Sequence, residues 1–280
     1  MYEIIRKKTL NPFVVLMEIN APLVAKKAEP GQVIILRTDE NGERIPLTIA
    51  DYNRESGTIT IIFQKVGATT EKLAHMEEGD SLADFVGPLG NPTATEGRKK
   101  VAVIGGGVGC AIAYPVAKKF FEQGTEVHSI IGFRNSELII LEEEFAKVSS
   151  KMKLMTDDGS RGEKGLVTDA LKSFIESGEK YDEVITIGPM IMMKFVCKLT
   201  KEYGIKTIAS MSPIMIDGTG MCGGCRLTVG GETKFACIDG PEFDGHKIDF
   251  DEVIARCGTY CEFERHAREE TCNLFAKEVK

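Results

Sequence analysis

The chain has 280 residues, which suggests about two domains, and 42% of them are hydrophobic, enough for a buried core. Its formal net charge of −7 argues against nucleic acid as a partner, because phosphate binding requires clustered Lys and Arg. No apolar run reaches the roughly 18 residues that a membrane span needs, and residues 1–8 form a charged, alternating pattern instead of an export signal. We therefore expect a cytoplasmic protein with no membrane partner, whose eight cysteines are thiols or metal ligands.

The first 95 residues are predicted to form β structure. Short runs rich in β-branched residues are separated by turn residues, which predicts strands at 2–8, 13–19, 32–37, 58–65 and 81–85. Many short strands with tight turns indicate a sandwich or a small barrel. We assign residues 1–95 to this first domain.

The pattern changes after a polar linker at residues 92–100. Short apolar runs at 101–104, 126–131, 153–155, 183–187 and 206–208 now alternate with helical patterns at 108–123, 137–150, 167–177 and 190–203. Such alternation indicates a parallel sheet covered by helices. We assign residues 96–208 to this α/β domain. Residues 209–280 form a third piece with a Gly- and Cys-rich loop, a predicted hairpin and a charged, helix-like tail.

A glycine turn follows the first strand of the α/β domain. It consists of Gly105, Gly106, Gly107, Val108 and Gly109. A turn of this kind at a helix N-terminus presents free N–H groups and a partial positive charge to a pyrophosphate. The other interpretation is a glycine turn that binds no ligand.

The acidic residue that usually follows the second strand of a dinucleotide fold is replaced by Arg134. Asp157 and Asp158 follow the third strand and offer carboxylates for ribose hydroxyls. Gly188, Pro189 and Met190 follow the fourth strand, on the carboxyl edge where open α/β sheets bind ligands. The aspartates favour NADH, whereas Arg134 and Arg161 favour NADPH.

The most informative segment lies in the third piece. Its candidate metal ligands follow the spacing Asp-x4-Cys-x2-Cys-x11-Cys and are Asp217, Cys222, Cys225 and Cys237. With Cys in place of Asp, this spacing is close to that of a [2Fe–2S] site. The intervening glycines allow the backbone to wrap closely around an inorganic core. The spacing therefore predicts an electron-transfer protein.

Other interpretations of this loop remain. Zinc usually requires a second Cys pair or a His pair, and only His246 lies nearby. A redox dithiol would open a helix after a strand. Asp217 could be a turn-forming residue, with water or another side chain completing the site. Of the other cysteines, Cys110 and Cys197 are expected in the core, and a second metal site is the alternative for the tail cysteines Cys257, Cys261 and Cys272.

Taken together, these pieces resemble the ferredoxin-reductase superfamily, in which a flavin-binding β-barrel precedes a pyridine-nucleotide domain. The segment that looks like its flavin-contacting strand comprises Arg44, Pro46, Leu47, Thr48 and Ile49. The segment similar to the one that approaches the flavin phosphates comprises Val66, Gly67, Thr69 and Thr70. The two glycine turns look like its nicotinamide-side turns. The resemblance implies bound FAD and NAD(H), with NADP(H) as an alternative, and no catalytic side chain beyond those that hold cofactors.

The cluster loop narrows the resemblance. It resembles the electron-transfer subunits of dihydroorotate dehydrogenase, in which four Cys hold a [2Fe–2S] cluster. Asp217 in place of a Cys, together with residues 221–225 and 239–246, looks more like a related family, the small subunits of NADH-dependent ferredoxin:NADP oxidoreductases, also called sulfide dehydrogenase beta subunits. This resemblance covers nearly the whole chain. It implies electron flow between NADH, FAD, a [2Fe–2S] cluster and a larger flavin and iron–sulfur subunit, in a bifurcating complex that reaches ferredoxin.

Three rival functions stay open: the electron-transfer subunit of dihydroorotate dehydrogenase, a sulfide or polysulfide reductase, and a scaffold subunit with decayed nucleotide sites.

Overall fold

The computed structural model describes residues 2–278, and it describes side chains as far as Cys272. Within this part of the chain, the strands form two seven-stranded sheets and one two-stranded sheet. No helix among the same residues combines the length and the apolar character that crossing a membrane requires.

The first sheet is antiparallel and barrel-like. Its strands are β1 (Tyr2–Asn11), β2 (Val14–Asn20), β3 (Val33–Arg37), β4 (Ile45–Asn53), β5 (Thr58–Gln64), β6 (Ser81–Leu82) and β7 (Asp84–Leu89). They neighbour one another in the order β6-β1-β2-β5-β4-β3-β7, and the helices α1 (Pro22–Ala25) and α2 (Ala68–His75) lie between strands in sequence. Ile59, Ile61 and Phe63 are at most 1% exposed, so alternate residues of β5 form the barrel core.

The second sheet begins at the predicted linker. Its first strands are β8 (Lys100–Gly106), β9 (Glu126–Phe133), β10 (Lys151–Thr156), β11 (Glu163–Lys164), β12 (Glu183–Ile187) and β13 (Thr207–Ser210). The covering helices are α3 (Cys110–Glu122), α4 (Glu142–Lys147), α5 (Val167–Glu176) and α6 (Met190–Glu202). All these strands are parallel. The predicted alternation is confirmed, and the fully buried run 101–104 explains why β8 looked continuously apolar.

The helix predicted over residues 137–150 is correct only for Glu142–Lys147 and is wrong on both sides of that range. Asn135 instead caps a 3-10 turn at Ser136–Leu138, where its side chain accepts a hydrogen bond from the Glu137 N–H at 3.1 Å. Ile140 then packs into the core and Leu141 adopts a φ of 57°, so α4 begins only at Glu142. Burial of these apolar residues overrides the helical pattern.

The C-terminal piece is tied to the second sheet. It contains a hairpin, β14 (Arg226–Val229) with β15 (Glu232–Phe235), then β16 (Glu242–Asp244), α7 (Phe250–Cys257) and α8 (Cys261–Glu278). Strand β16 pairs antiparallel with β13, giving the order β11-β10-β9-β8-β12-β13-β16. The lobe therefore contributes the edge strand of the nucleotide sheet.

The cysteines outside the loop behave largely as expected. Cys110 and Cys197 are buried in helices α3 and α6, which confirms them as core residues. In the described part of the chain, three potential ligand atoms come within 4.8 Å of one another only at Glu126, His128 and Glu179, so the tail cysteines do not form such a group. Lys100 already pairs with both glutamates of that trio, so its ammonium supplies the positive charge there.

Candidate functional site

A cleft of about 1020 Å³ lies between the barrel and the carboxyl edge of the parallel sheet. The barrel contributes Pro46, Leu47 and Thr48 to its wall. The sheet contributes its turns, with lining residues Gly106, Gly107, Val108, Gly109, Arg134, Asp157, Gly188 and Pro189. The structure thus brings residues from the two predicted cofactor regions to one cavity, as the prediction that a flavin and a nicotinamide meet there requires.

The glycine turn after β8 is packed against the turn after β12. A Cβ added at Gly109 would lie 2.6 Å from Gly188 Cα and 2.6 Å from the Ile187 carbonyl oxygen. Gly107 has a φ of 55° and open space above it. Only glycine fits the contact at Gly109, and the backbone around it can approach a dinucleotide closely. Gly105 is buried beneath the turn, against Cys110.

The polar residues after β9 and β10 divide into two groups. Asp157 and Arg134 line the cleft. Asp158 instead accepts hydrogen bonds from the Ser160 hydroxyl at 2.6 Å and N–H at 2.9 Å, which hold the pKa of its carboxyl below the usual range. Arg161 pairs with Glu142 at 2.9 Å. Two of the four residues considered for ribose or phosphate recognition therefore face the cavity.

The predicted flavin segments are placed differently from one another. Ile49 is 1% exposed and belongs to the barrel core, beside the cleft-lining Thr48. At the start of α2, the Thr70 hydroxyl accepts hydrogen bonds from the N–H groups of Val66 and Gly67 at 3.0 and 2.9 Å. Thr69 donates to Glu43 at 3.0 Å. This segment lies outside the cleft walls, as does Met190, which begins α6.

Arg44 immediately precedes β4 and contacts the C-terminal lobe. Its Nε donates to the Ile216 carbonyl oxygen at 2.9 Å, and its Nη1 lies 3.9 Å from Asp84 Oδ2. It does not line the cleft. A flavin contact by Arg44 stays a prediction.

Sequence analysis missed several cleft residues. They include Val33, Gln64, Met192, Ser210, Met211 and Met215. The strand register could have indicated one of them, since Val33 pairs directly with Thr48. Gln64 ends β5 of the barrel, and the other four lie in α6 or in the segment that starts at the end of β13, with no local motif to mark them.

The four predicted metal ligands form two pairs. Cys225 Sγ and Cys237 Sγ lie 3.2 Å apart and are buried. The N–H groups of Thr219 and Cys222 donate to the two oxygens of Asp217 at 2.8 Å each, and these bonds lower the pKa of its carboxyl. Cys222 is exposed. A [2Fe–2S] core divides its ligands between two irons, so two donor pairs fit it.

The loop backbone has the close-wrapping geometry that such a core needs. Gly218, Gly220 and Gly223 have φ angles of 78°, 80° and 67°, which other residues rarely adopt. Burial, with the neighbouring Cys225, raises the pKa of the Cys237 thiol to about 12. Iron binding would have to release the proton of this thiol, which makes metal uptake depend on pH.

Two family models match the chain in the regions where these sites lie. Residues 212–249 match the iron–sulfur cluster binding domain of dihydroorotate dehydrogenase B, and residues 103–198 match the oxidoreductase NAD-binding domain. A Thermotoga maritima protein described as a dihydroorotate dehydrogenase B (NAD(+)) electron transfer subunit homolog is 45% identical, over 94% of this chain and 93% of its own length. The chain belongs to the family of dihydroorotate dehydrogenase B electron transfer subunits and their homologues.

Two further proteins are similar to this chain over almost its whole length. A Clostridium beijerinckii protein described by its place in the adh 3′ region is 54% identical, over 93% of this chain and 90% of its own. A solved structure of an NADH-dependent reduced ferredoxin–NADP oxidoreductase superposes on this chain with a TM-score of 0.91. That structure concerns flavin-based electron bifurcation. It is 42% identical and covers 96% of this chain and 97% of that chain.

These findings confirm the predicted ferredoxin-reductase-like fold, with a barrel, an NAD-binding domain and an iron–sulfur lobe. They also confirm an oxidoreductase electron-transfer subunit with FAD, an iron–sulfur cluster and NAD(H) as its cofactors. As a subunit, the chain is one part of a heteromeric enzyme with a larger catalytic partner. The domain boundaries and the roles of individual residues stay predictions.

Proposed function

We propose that the chain carries electrons between NADH and a larger flavin and iron–sulfur subunit, by way of FAD and a [2Fe–2S] cluster, within an NADH-dependent ferredoxin:NADP oxidoreductase complex. The observation that carries this proposal is the shared cleft, because Thr48 of the barrel and the glycine turns of the sheet line one cavity. An iron–sulfur cluster accepts one electron at a time, so it cannot accept a hydride directly. When bound, FAD would supply the conversion between hydride and single-electron chemistry.

The residues of the cleft have distinct proposed roles. Thr48 offers a hydroxyl to the reactive edge of the flavin. The backbone of residues 105–109 holds the dinucleotide, and Gly188 and Pro189 border the nicotinamide. None of these residues moves a proton; their work is to orient two flat rings against each other and to exclude water.

We propose NADH as the preferred dinucleotide. Asp157 lines the cleft, and a carboxylate accepts hydrogen bonds from ribose hydroxyls but repels a 2′-phosphate. Arg161, which would favour NADPH, is paired with Glu142. Of the two arginines considered for phosphate recognition, Arg134 is the one that lines the cavity.

The metal role of Asp217, Cys222, Cys225 and Cys237 belongs to this proposal. The partner would dock over the exposed Cys222, where apolar side chains surround the loop. Met221 is 89% exposed, Ile216 50% and Ile238 47%. Exposed apolar side chains grouped in this way are typical of a protein–protein contact. Delivery to ferredoxin through the complex and a cytoplasmic location remain predictions.

A second candidate is the electron-transfer role in dihydroorotate oxidation, favoured by the match of residues 212–249. Asp217 argues against this role, because in the dihydroorotate dehydrogenase subunits that the loop resembles, four cysteines hold the cluster. The two functions share every step inside this chain and differ in the partner.

The test uses the full chain purified without oxygen. We expect flavin and iron in the same sample, a yellow-brown spectrum, and bleaching of both flavin and cluster by NADH. Isolation of the native partner, with a dihydroorotate oxidation assay, then separates the two functions. A colourless chain without iron would overturn both and support a scaffold role.

A further inference from the structure

The two ends of the iron–sulfur loop are both bonded to the flavin barrel. Before Asp217, the Ile216 carbonyl oxygen accepts a hydrogen bond from Arg44 Nε at 2.9 Å. After Cys237, the carbonyl oxygens of Ile238 and Asp239 accept from Asn91 Nδ2 at 3.0 and 3.1 Å. The Asn91 N–H also donates to the next carbonyl, that of Gly240, at 2.6 Å. The loop is therefore fixed on both sides of its ligands.

Arg44 is itself held in place. Its guanidinium lies near Asp84, whose Oδ2 pairs with Arg37 Nε at 2.8 Å. Arg37 and Asp84 are direct partners of β3 and β7. Arg44 immediately precedes β4, the strand that carries Thr48. The arginine thus joins the first residues of the flavin-facing strand to the entry of the ligand loop.

Between these two anchors the loop rests directly on barrel side chains. A Cβ added at Gly218 would lie 2.6 Å from Leu89 and 2.9 Å from Ile35. Leu89 pairs with Val33 across β7 and β3, and Val33 pairs in turn with Thr48. Only the strands β7 and β3 therefore lie between Gly218 and the cleft-lining strand β4.

We propose that Arg44 and Asn91 are positioning residues, which clamp the iron–sulfur loop to the flavin barrel and set the separation across which single electrons pass. The inference rests on the proposed function. Arg44 adds a fixed positive charge one residue from Asp217, and such a charge favours the reduced, more negative cluster. Asn91 is neutral and acts through position alone.

This difference gives a matched set of variants. Arg44→Gln removes the charge and weakens the bond to Ile216, Arg44→Lys keeps the charge, and Asn91→Ala removes the side-chain bonds without a change of charge. Arg6→Gln is the control, because Arg6 lies on the same barrel and pairs only with the surface residue Glu18 among its described ion pairs.

Three readouts are taken on oxygen-free holoprotein: flavin reduction and cluster reduction after rapid mixing with NADH, the cluster midpoint potential, and amide hydrogen exchange over residues 216–240. We expect unchanged flavin reduction in Asn91→Ala and in the control Arg6→Gln. Cluster reduction should slow roughly tenfold in Arg44→Gln and Asn91→Ala, because small displacements of reacting groups are costly. The potential should fall in Arg44→Gln alone, and exchange should rise in both.

Wild-type cluster reduction in both Arg44→Gln and Asn91→Ala, with unchanged exchange, would overturn the inference while leaving the proposed function intact. Should either variant lose iron, Arg44→Lys supplies the test, with an intermediate rate and a wild-type potential expected. If NADH reduces the flavin of the unsubstituted chain and never its cluster, the proposed function fails, and the positioning role falls with it.

Discussion

The glycine turns of the nucleotide sheet and the glycine loop of the iron–sulfur lobe are held in different ways. The turn after β8 follows residues 101–104, which are fully buried and bonded to strands on both sides. The loop between β13 and β14 has no strand or helix of its own, and Cys222 and Met221 are exposed. We therefore expect the dinucleotide site to be preformed by the core, and the iron–sulfur loop to depend on its metal and on the proposed clamp from the barrel.

We expect the largest effect from a substitution in the buried ligand pair, Cys225 and Cys237, which should disturb the iron–sulfur loop and leave the nucleotide sheet intact. Cys225→Ser replaces a thiolate with a poor iron ligand beside Cys237, so the chain should lose most of its iron. Amide protection should fall over residues 211–240 and stay unchanged in β8 and β9. Iron analysis and hydrogen exchange measure both. Cys261→Ser, an exposed tail cysteine, is the matched control. Loss of protection throughout the sheet would show that the two regions are not independent.

The second variant disturbs the glycine turn of the nucleotide sheet and leaves the iron–sulfur loop intact. Gly109→Ala forces a methyl group against Gly188 and Ile187, at a cost of about 1–3 kcal/mol in the free energy of unfolding. We expect reduction of the flavin by NADH to slow by roughly a hundredfold, since the two turns must separate. Iron content should not change. Gly258→Ala is the control, because its nearest atom would lie 3.4 Å away. An unaltered rate with NADH would remove the turn from the nucleotide site.

A smaller effect is expected from Asp217→Cys. The new thiolate should keep the cluster and lower its midpoint potential, because it donates more electron density to iron than a carboxylate does. A redox titration followed by electron paramagnetic resonance gives the value. An unchanged potential and spectrum would mean that Asp217 only shapes the turn through its bonds to Thr219 and Cys222.

The smallest effect concerns the choice of dinucleotide. Asp157→Ser removes the carboxylate from the cleft wall, so the KM for NADH should rise a few-fold and NADPH should become a better substrate. Asp158→Ser serves as the control, since Asp158 bonds Ser160 and does not line the cavity. Equal effects of both substitutions would contradict the assignment of Asp157.

The sequence predicted the parts of each site whose signal is local. Residues 101–109 carry strand, turn and helix start in one stretch, and the spacing of Asp217 to Cys237 is visible without a fold. The clamp was not predictable, because Arg44 and Ile216 are separated by 172 residues and their bond leaves no pattern in either segment. For the same reason the cleft residues Ser210 and Met215 were missed. The helix over 137–150 was predicted too long, because its first residues follow a local helical pattern that core packing overrides.

The most direct test of this account is hydrogen exchange on the oxygen-free chain before and after iron is removed by a chelator, with NADH reduction of the flavin followed in the same samples. The account predicts that protection disappears over residues 211–240 while β8, β9 and β12 stay protected and NADH still bleaches the flavin. Retained protection of the loop without iron, or collapse of the nucleotide sheet together with it, would contradict the central claim.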